Sequence, residues 1–510
     1  MSGKRLWLSV LMILSTVAGQ ACGQAPDLRM PVQVAPDAPQ PTDAVGPINS
    51  REPSAPRVNL EYIAAPRFPV QAGVVNSGDA RLLPVQQVEP KKVDTMPPPG
   101  YTSPYPLYDI LGDRKRSTDI LNPADAAKTP GYPTVKLTGF FQADFAWFAQ
   151  DANSVKSLGN IQDDRGFRRA RLAAVGDVMD NVSYMLEMDF AFPGRPSFMD
   201  VWLDVHKLPV LGNVRVGQYR VNFGMDELTS VRELQFIERG ITFGLAPFRQ
   251  MAVGFHNANE EKTVTWAVDG FGYPSDFFGN STGDRGYGMA GRITALPYFD
   301  EEDHRLVHVG LDYTYLDTST GNFRFRNQAE YGGQFGPLGL GNTVITNVPF
   351  FVDTGVLPAS ITQMVNGEVA FAAGSLYAQS EVRYAFVRLQ NGNYTTLPTM
   401  YAQVGYFLTG EQRPYNKNNA VFGRVKPLHN FSSAGGIGAW ELAFRYSYAN
   451  FHNNVNPGFA NELTDTTLGL NWYLNQYTKF QANWIHTFLS PGSGLPSGTD
   501  TLAIRAQLDF

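Results

Sequence analysis

TLAIRAQLDF, residues 501–510, is the segment whose reading decides the fold. At period two, Leu502, Ile504, Ala506, Leu508 and Phe510 share one face, and Thr501, Ala503, Arg505, Gln507 and Asp509 share the other. Successive side chains of a strand point to opposite faces, so one face is apolar and the other mostly polar. A strand of about ten residues is long enough to cross a bilayer at a tilt of about 45°. A lone strand cannot lie in hydrocarbon, because each unsatisfied backbone group there costs several kcal/mol. It needs a partner on each edge, so the sheet must close. Two readings fit this segment by itself: the closing strand of an outer-membrane β-barrel, and the edge strand of a soluble β-sandwich.

The totals bear on that choice. Charged residues make up 17% of the 510 and aromatic ones 13%, against about 25% charged in ordinary soluble domains. The mean hydropathy is −0.21, too low for a bundle of membrane helices. Low charge, many rings, 49 glycines and middling hydropathy fit a barrel in which alternate residues face lipid. The net charge of −6 argues against a general nucleic-acid binder. The single cysteine, Cys22, excludes a disulfide framework and a multi-cysteine metal site.

Along the chain, Lys4 and Arg5 precede an apolar run over 6–18, too short to span a bilayer as a helix. Residues 1–21 are expected to be a signal peptide, with cleavage after Ala21 or as late as Ala25. A lipidated Cys22 is the alternative fate of this end. Residues 22–133 carry scattered prolines and the run Pro97-Pro98-Pro99, a spacing that sustains neither helix nor sheet. They are expected to form a largely disordered periplasmic extension, with a short helix over 107–127. Segment 26–130 is either a plain linker or a contact with the cell wall.

Residues 134–510 alternate. Strands are expected at 137–147, 167–177, 182–192, 199–207, 213–219, 250–257, 262–271, 286–296, 305–316, 375–388, 399–409, 439–450, 465–474, 478–488 and 501–510. Bacterial single-chain barrels have an even strand number. If the first strand runs outward, turns after even strands are short until the parity slips within 410–438. A sixteenth strand is therefore placed at 419–427 (NAVFGRVKP). Three long outer connections result, 220–249, 317–374 and 410–417, the first placed to fold inward and narrow the pore. The fold class expected is all-β, a 16-stranded transmembrane antiparallel barrel with a Pro-rich N-terminal extension.

The stretches FRRARLAAVGDV (167–178), VGQYRVNFGMDELTS (216–230), FIERG (236–240), GRVKP (423–427), GAWELAFRYSY (438–448) and TLGLNWYLNQYTKFQANWIHTF (467–488) together resemble the phosphate-selective porin O/P family, in the family's order, over residues 134–510. The resemblance implies a 16-stranded outer-membrane channel, a homotrimer, whose third outer loop enters the lumen. It also implies lysines around a constriction and an arginine ladder along the wall. Here the constriction loop has Arg220, Arg232, Arg239 and Arg249, no lysine, and the acids Asp226, Glu227, Glu233 and Glu238.

A passive channel needs a polar lumen and charges that shape an electrostatic barrier or well. Alternation assigns Asp144, Arg169, Arg171, Glu187, Asp189, Asp204, Arg215, Arg292, Asp312, Glu381, Arg383, Glu441, Arg445 and Arg505 to the lumen. Wall salt bridges account for many such residues in any barrel. Guanidinium stays charged at every working pH and binds oxyanions with two prongs, so the pore-lining set expected to favour anions is Arg169, Arg171, Arg215, Arg220, Arg232, Arg239 and Arg249. Arg168 has the wrong parity beside Arg169 and Arg171 and calls for a bulge or a snorkelling side chain. No cofactor or metal is expected, since the histidines lack ligand spacing. No Ser/His pair recommends a hydrolase. The function expected is passive diffusion of small hydrophilic solutes, with a preference for phosphate-like or polyphosphate-like anions. The alternative is an envelope-tethering or adhesion barrel with a plugged lumen. Partners expected are outer-membrane lipids, small anions and two further copies of the chain, and no nucleic acid.

Overall fold

The computed structural model describes residues 131–510 apart from 192–195, 210, 277, 279–285, 303, 333–347 and 460. The signal segment, Cys22, the helix at 107–127 and the Pro-rich extension up to residue 130 lie outside the described residues.

Sixteen long strands follow one another: β1 Lys136–Gln150, β2 Asp164–Met179, β3 Val182–Asp189, β4 Ser197–Leu208, β5 Gly212–Arg220, β6 Arg249–Ala258, β7 Val264–Tyr273, β8 Gly286–Asp300, β9 Arg305–Asp317, β10 Leu357–Ala373, β11 Leu376–Leu389, β12 Tyr394–Phe407, β13 Ala439–Asn450, β14 Glu462–Asn475, β15 Thr478–Ser490 and β16 Ser497–Asp509. Each pairs antiparallel with the next. The last pairs with the first, Phe140 opposite Asp509 through Gln150 opposite Thr499, which closes the barrel. A two-residue segment, Asn322–Phe323, extends the same sheet against the start of β10.

The walls are inverted relative to a soluble protein. In β16, Leu502 is 47% and Ile504 37% exposed, while Arg505 between their faces is 0% exposed. Trp147, Tyr313, Tyr446 and Trp484 stand exposed on the outer face. Every strand charge assigned to the lumen by alternation is buried or half-buried inside.

The sixteenth strand is not at 419–427. It is β10, LPASITQMVNGEVAFAA, inside the stretch expected to be an outer connection. Pro358, Gln363 and Gly367 interrupt its outward face, so its alternation is faint in the sequence. Its presence reassigns the ends of the barrel. The outer connection after β9 shortens to 318–356, and 390–393, expected at the turn end, lies at the loop end. The 408–438 segment, part of which was expected outside, joins β12 to β13 at the end that carries the tight turns 180–181, 374–375 and 476–477. Short turns mark the periplasmic end of such barrels.

Of the two answers to the parity conflict among Arg168, Arg169 and Arg171, a snorkelling side chain or a bulge, the strand takes the bulge. Gln142 faces Arg169 while Ala143 faces Phe167, so Arg168 is the extra residue and the register shifts past it. Both Arg168 and Arg169 therefore reach inward.

Register fixes which face meets lipid, so a charge on the outer face should be costly. Ile504→Arg, near the middle of β16, is expected to destabilise the barrel by about 2–4 kcal/mol. Urea titration of the protein folded in phospholipid vesicles checks this; a midpoint equal to the parent's would mean that β16 does not face lipid.

Candidate pore and constriction

Between β5 and β6 the chain turns into the lumen and stays there from 221 to 248 (loop L3). Its apolar side chains explain why. Val221, Phe223, Ile237, Ile241 and Leu245 are fully buried, in one cluster with Phe323, Phe325 and Val352 of the β9–β10 loop and Met364, Val387 and Leu397 of the wall. Burying a large aliphatic or aromatic side chain is worth about 1.5–3 kcal/mol, so the loop gains more inside the barrel than in water. A second apolar cluster fills the turn end. There Val421, Phe422 and Val425 of the 408–438 segment meet Met225 of L3 and Leu306, Tyr377, Phe407 and Tyr473 of the wall.

L3 opens with a single helical turn, α1 Met225–Leu228. Gly224, just before it, has φ +84°, and a Cβ there would stand 2.6 Å from Arg383 Nη2 and 2.9 Å from Glu381 Oε2. Only glycine lets the loop press so closely on the wall. The last carbonyls of α1 have no partner within the helix. Arg220 supplies one, with Nη1 donating to the carbonyls of Glu227, Leu228 and Thr229 at 3.0, 2.9 and 3.0 Å. Arg239 supplies another, with Nε donating to Asp226 O at 2.7 Å and Nη2 to Thr229 O at 2.6 Å.

The expected pore arginines divide into groups. Arg169 joins Arg168 and Arg505 on one carboxylate, Glu238 of L3, at 2.8, 3.0 and 3.0 Å. Arg505 also holds Asp144 at 2.6 Å. Arg171 binds Asp189 at 2.8 Å and Glu187 at 3.5 Å, and Arg249 binds Asp200 at 3.0 Å. Arg215 binds Asp204 at 2.5 Å and lies 4.0 Å from the Trp202 ring. Arg220 and Arg239 bind backbone carbonyls, with no carboxylate at ion-pair distance among the described residues. Arg232 is buried with its guanidinium 5.3 Å from the Phe140 ring. The structure thus brings together Arg169 with its neighbours, and Arg171 with Arg249, but does not gather all seven around one point.

Alternation found the wall residues and missed the loops that answer them. Arg445 pairs with Glu330 of the β9–β10 loop at 2.6 Å. Arg292 reaches Glu368 at 2.7 Å and the carbonyls of Asn419 and Ala420 in the turn-end insertion. Arg424 of that insertion ties Glu233 of L3 to Asp509 of β16 at 3.0 and 2.5 Å. Within the wall, Glu381 and Arg383 lie 3.5 Å apart. Ser183 Oγ and His206 Nε2 lie 2.5 Å apart, buried on the inner face, while Asp204 near that imidazole is occupied by Arg215.

A cavity of about 260 Å³ runs from the β6–β7 turn up to L3; Asp200, Arg215, Arg220, His256 and Lys262 line it, with Asn222 of L3 as its roof. Two L3 carboxyls behave oppositely. Burial would raise Glu238, but Arg168, Arg169 and Arg505 outweigh it and hold the carboxyl well below its usual range. Glu227 is 1% exposed and neither carboxylate oxygen has a hydrogen-bond partner among the described residues. Burial pushes it up to about 8, against the pull of Arg383, Arg239 and Arg220 and with a push from Glu381.

The family model described as phosphate-selective porin O and P matches residues 135–510. Porin O of Pseudomonas aeruginosa is 27% identical over 380 residues, covering 71% of this chain and 84% of that protein. Among solved structures, the trimer form of OmpT from Vibrio cholerae aligns at 12% identity and a TM-score of 0.44, over 74% of this chain and 99% of that one. The anion-selective porin from Comamonas acidovorans aligns at 11% identity and 0.44 over the same shares.

The raised Glu227 has a consequence for ion flow. The carboxyl is neutral at pH 7, and its folded form gains a charge as pH rises through about 8. The folded state then loses the stability that the protonated group contributes at lower pH. Anion-over-cation permeability is expected to fall between pH 7 and 9 in planar bilayers, and Glu227→Gln should abolish that part of the pH dependence. The lowered Glu238 is charged throughout this window, so an identical pH profile in the variant would remove Glu227 from the constriction.

Proposed function

We propose, from the premise that this chain belongs to the family of phosphate-selective porins O and P, that its outer-membrane channel passes small hydrophilic solutes by passive diffusion and prefers anions, phosphate-like and polyphosphate-like ones among them. The observation that carries this reading is Arg220. Its guanidinium lines the cavity beneath L3 and spends its hydrogen bonds on carbonyls, with Asp200 on the same cavity wall but no carboxylate at ion-pair distance among the described residues. Arg215 and Lys262 line the same cavity. Arg169, Arg171 and Arg249 contribute through pairs with carboxylates, and Arg232 and Arg239 from within L3. Positive charge along a narrow aqueous path raises the local concentration of anions.

The family resemblance supports a homotrimer embedded in outer-membrane lipid. Segment 26–130, read as a plain linker or as a contact with the cell wall, lies outside the described residues.

One observation favours a second reading. L3, the described parts of the β9–β10 loop and the 408–438 segment all pack inside the barrel with fully buried apolar side chains. In that reading the lumen is a static plug and the barrel serves as an envelope tether or adhesin. Purified protein in planar bilayers separates the two, since a plugged barrel passes no ion current at all.

Within the channel reading, a charge acting across about 8 Å of water is worth about 0.5 kcal/mol. Arg220→Ala is therefore expected to lower the anion-to-cation permeability ratio, read from reversal potentials in a KCl gradient, by roughly two- to fivefold. Arg169→Ala and Arg171→Ala should move it in the same direction. Block of the chloride current by added phosphate and pyrophosphate ranks the anions; reversal potentials unmoved in all three variants would remove the arginines from the permeation path.

A further inference from the structure

We propose that Glu238 is a selectivity-determining residue of the constriction: a loop carboxylate that subtracts from the anion preference of the wall arginines while the backbone around it, not its charge, holds L3 in place. The proposal rests on the reading of the arginines as the source of anion preference.

Two sets of contacts carry it. The first is electrostatic. Glu238 is 4% exposed and receives Arg168 Nε at 3.0 Å, Arg169 Nη2 at 2.8 Å and Arg505 Nη2 at 3.0 Å. Arg505 also meets Asp144, and Glu238 is the partner that all three guanidiniums share. Buried charges are screened far less than exposed ones over a Debye length of about 8 Å, so the charge of Glu238 acts on solutes that never touch the cluster.

The second set is positional and does not use the carboxylate. Ile237 N donates to Asn483 Oδ1 at 2.8 Å, and Ile237 O accepts from Arg505. The Glu238 carbonyl accepts from Arg445 Nη2 at 3.0 Å. Phe236 lies under the Arg445 guanidinium at 4.3 Å, and Ile237 is fully buried. Wall residues from β13, β15 and β16 therefore grip the backbone of 236–238 independently of the Glu238 side chain. Neutralising that side chain leaves these bonds intact, so the charge of the constriction changes while its width does not. Gln keeps the shape of Glu and still accepts one arginine hydrogen bond at its amide oxygen.

The test is a set of single-channel measurements on the full protein in planar bilayers. Glu238→Gln is expected to raise the anion-to-cation permeability ratio roughly two- to fivefold at nearly unchanged chord conductance. Glu238→Asp, which restores the charge, should return the ratio to the parent value, a rescue that a merely structural role for the side chain does not predict. Arg220→Ala serves as the control on the underlying reading. A shift in Arg220→Ala with none in Glu238→Gln overturns the role of Glu238 and leaves the arginine reading standing; no shift in either overturns both. A large rise in conductance with unchanged selectivity also overturns the proposal, since it would mean that the carboxylate positions the loop. Should Glu238→Gln fail to insert, Arg169→Gln with Glu238 retained provides the opposite arm: the ratio should fall by a similar factor, and a constant ratio counts against the proposal.

Discussion

Hydrocarbon offers no hydrogen bonds, and that absence governs the whole molecule. Every backbone N–H and C=O at membrane depth must find a partner in another strand, which is why β16 returns to β1 along eleven residues of register, Phe140 opposite Asp509 through Gln150 opposite Thr499. Once the sheet is closed, the two-residue period of the strands sorts the side chains without further instruction. Leu502 and Ile504 face out and Arg505 faces in because they are neighbours on a closed sheet.

Closure also creates an interior that has to be filled. Charged groups forced inside lose their water, and an unpaired one is costly while a paired one is about neutral. The lumen accordingly holds its arginines on carboxylates or carbonyls: Arg171 on Asp189, Arg215 on Asp204, Arg445 on Glu330, Arg220 on the end of α1. The apolar residues of L3 and of the 408–438 segment take the remaining space from the two ends. What distinguishes one guanidinium from another is therefore whether its partner carries a formal charge, and this gives Arg220 and the Glu238 cluster their separate roles.

The same arrangement separates position from charge. L3 is held by packing and by backbone hydrogen bonds over 236–238, so its carboxylates are available to shape the field of the lumen. Glu238, surrounded by three guanidiniums, is kept ionised; Glu227, buried with no hydrogen-bond donor among the described residues, is pushed up to about 8. Two acids of the same loop are thus shifted in opposite directions, for reasons found in their neighbours and not in their own chemistry.

Much of this was legible in the residues alone. Period-two alternation, the even strand count and the inward direction of Asp144, Arg169, Arg383 and Arg505 follow from strand geometry and from the demand of lipid for an apolar face. The parity conflict within three arginines called for a bulge or a snorkelling side chain, and the register at Gln142 and Ala143 decided for the bulge. Three things were not legible. The faint strand β10 was hidden by Pro358 and Gly367, and its loss displaced the count onto 419–427, a stretch whose apolar residues serve the lumen and not the membrane. The partners of the wall charges were hidden as well, because Glu238, Glu330 and Glu233 come from loops with no period to read. The charge state of Glu227 was the third. Alternation is a local property of a strand and is written in sequence. Which loop carboxylate reaches which guanidinium across the lumen depends on contacts between residues hundreds of positions apart, such as Glu238 and Arg505, and only the closed barrel brings them together.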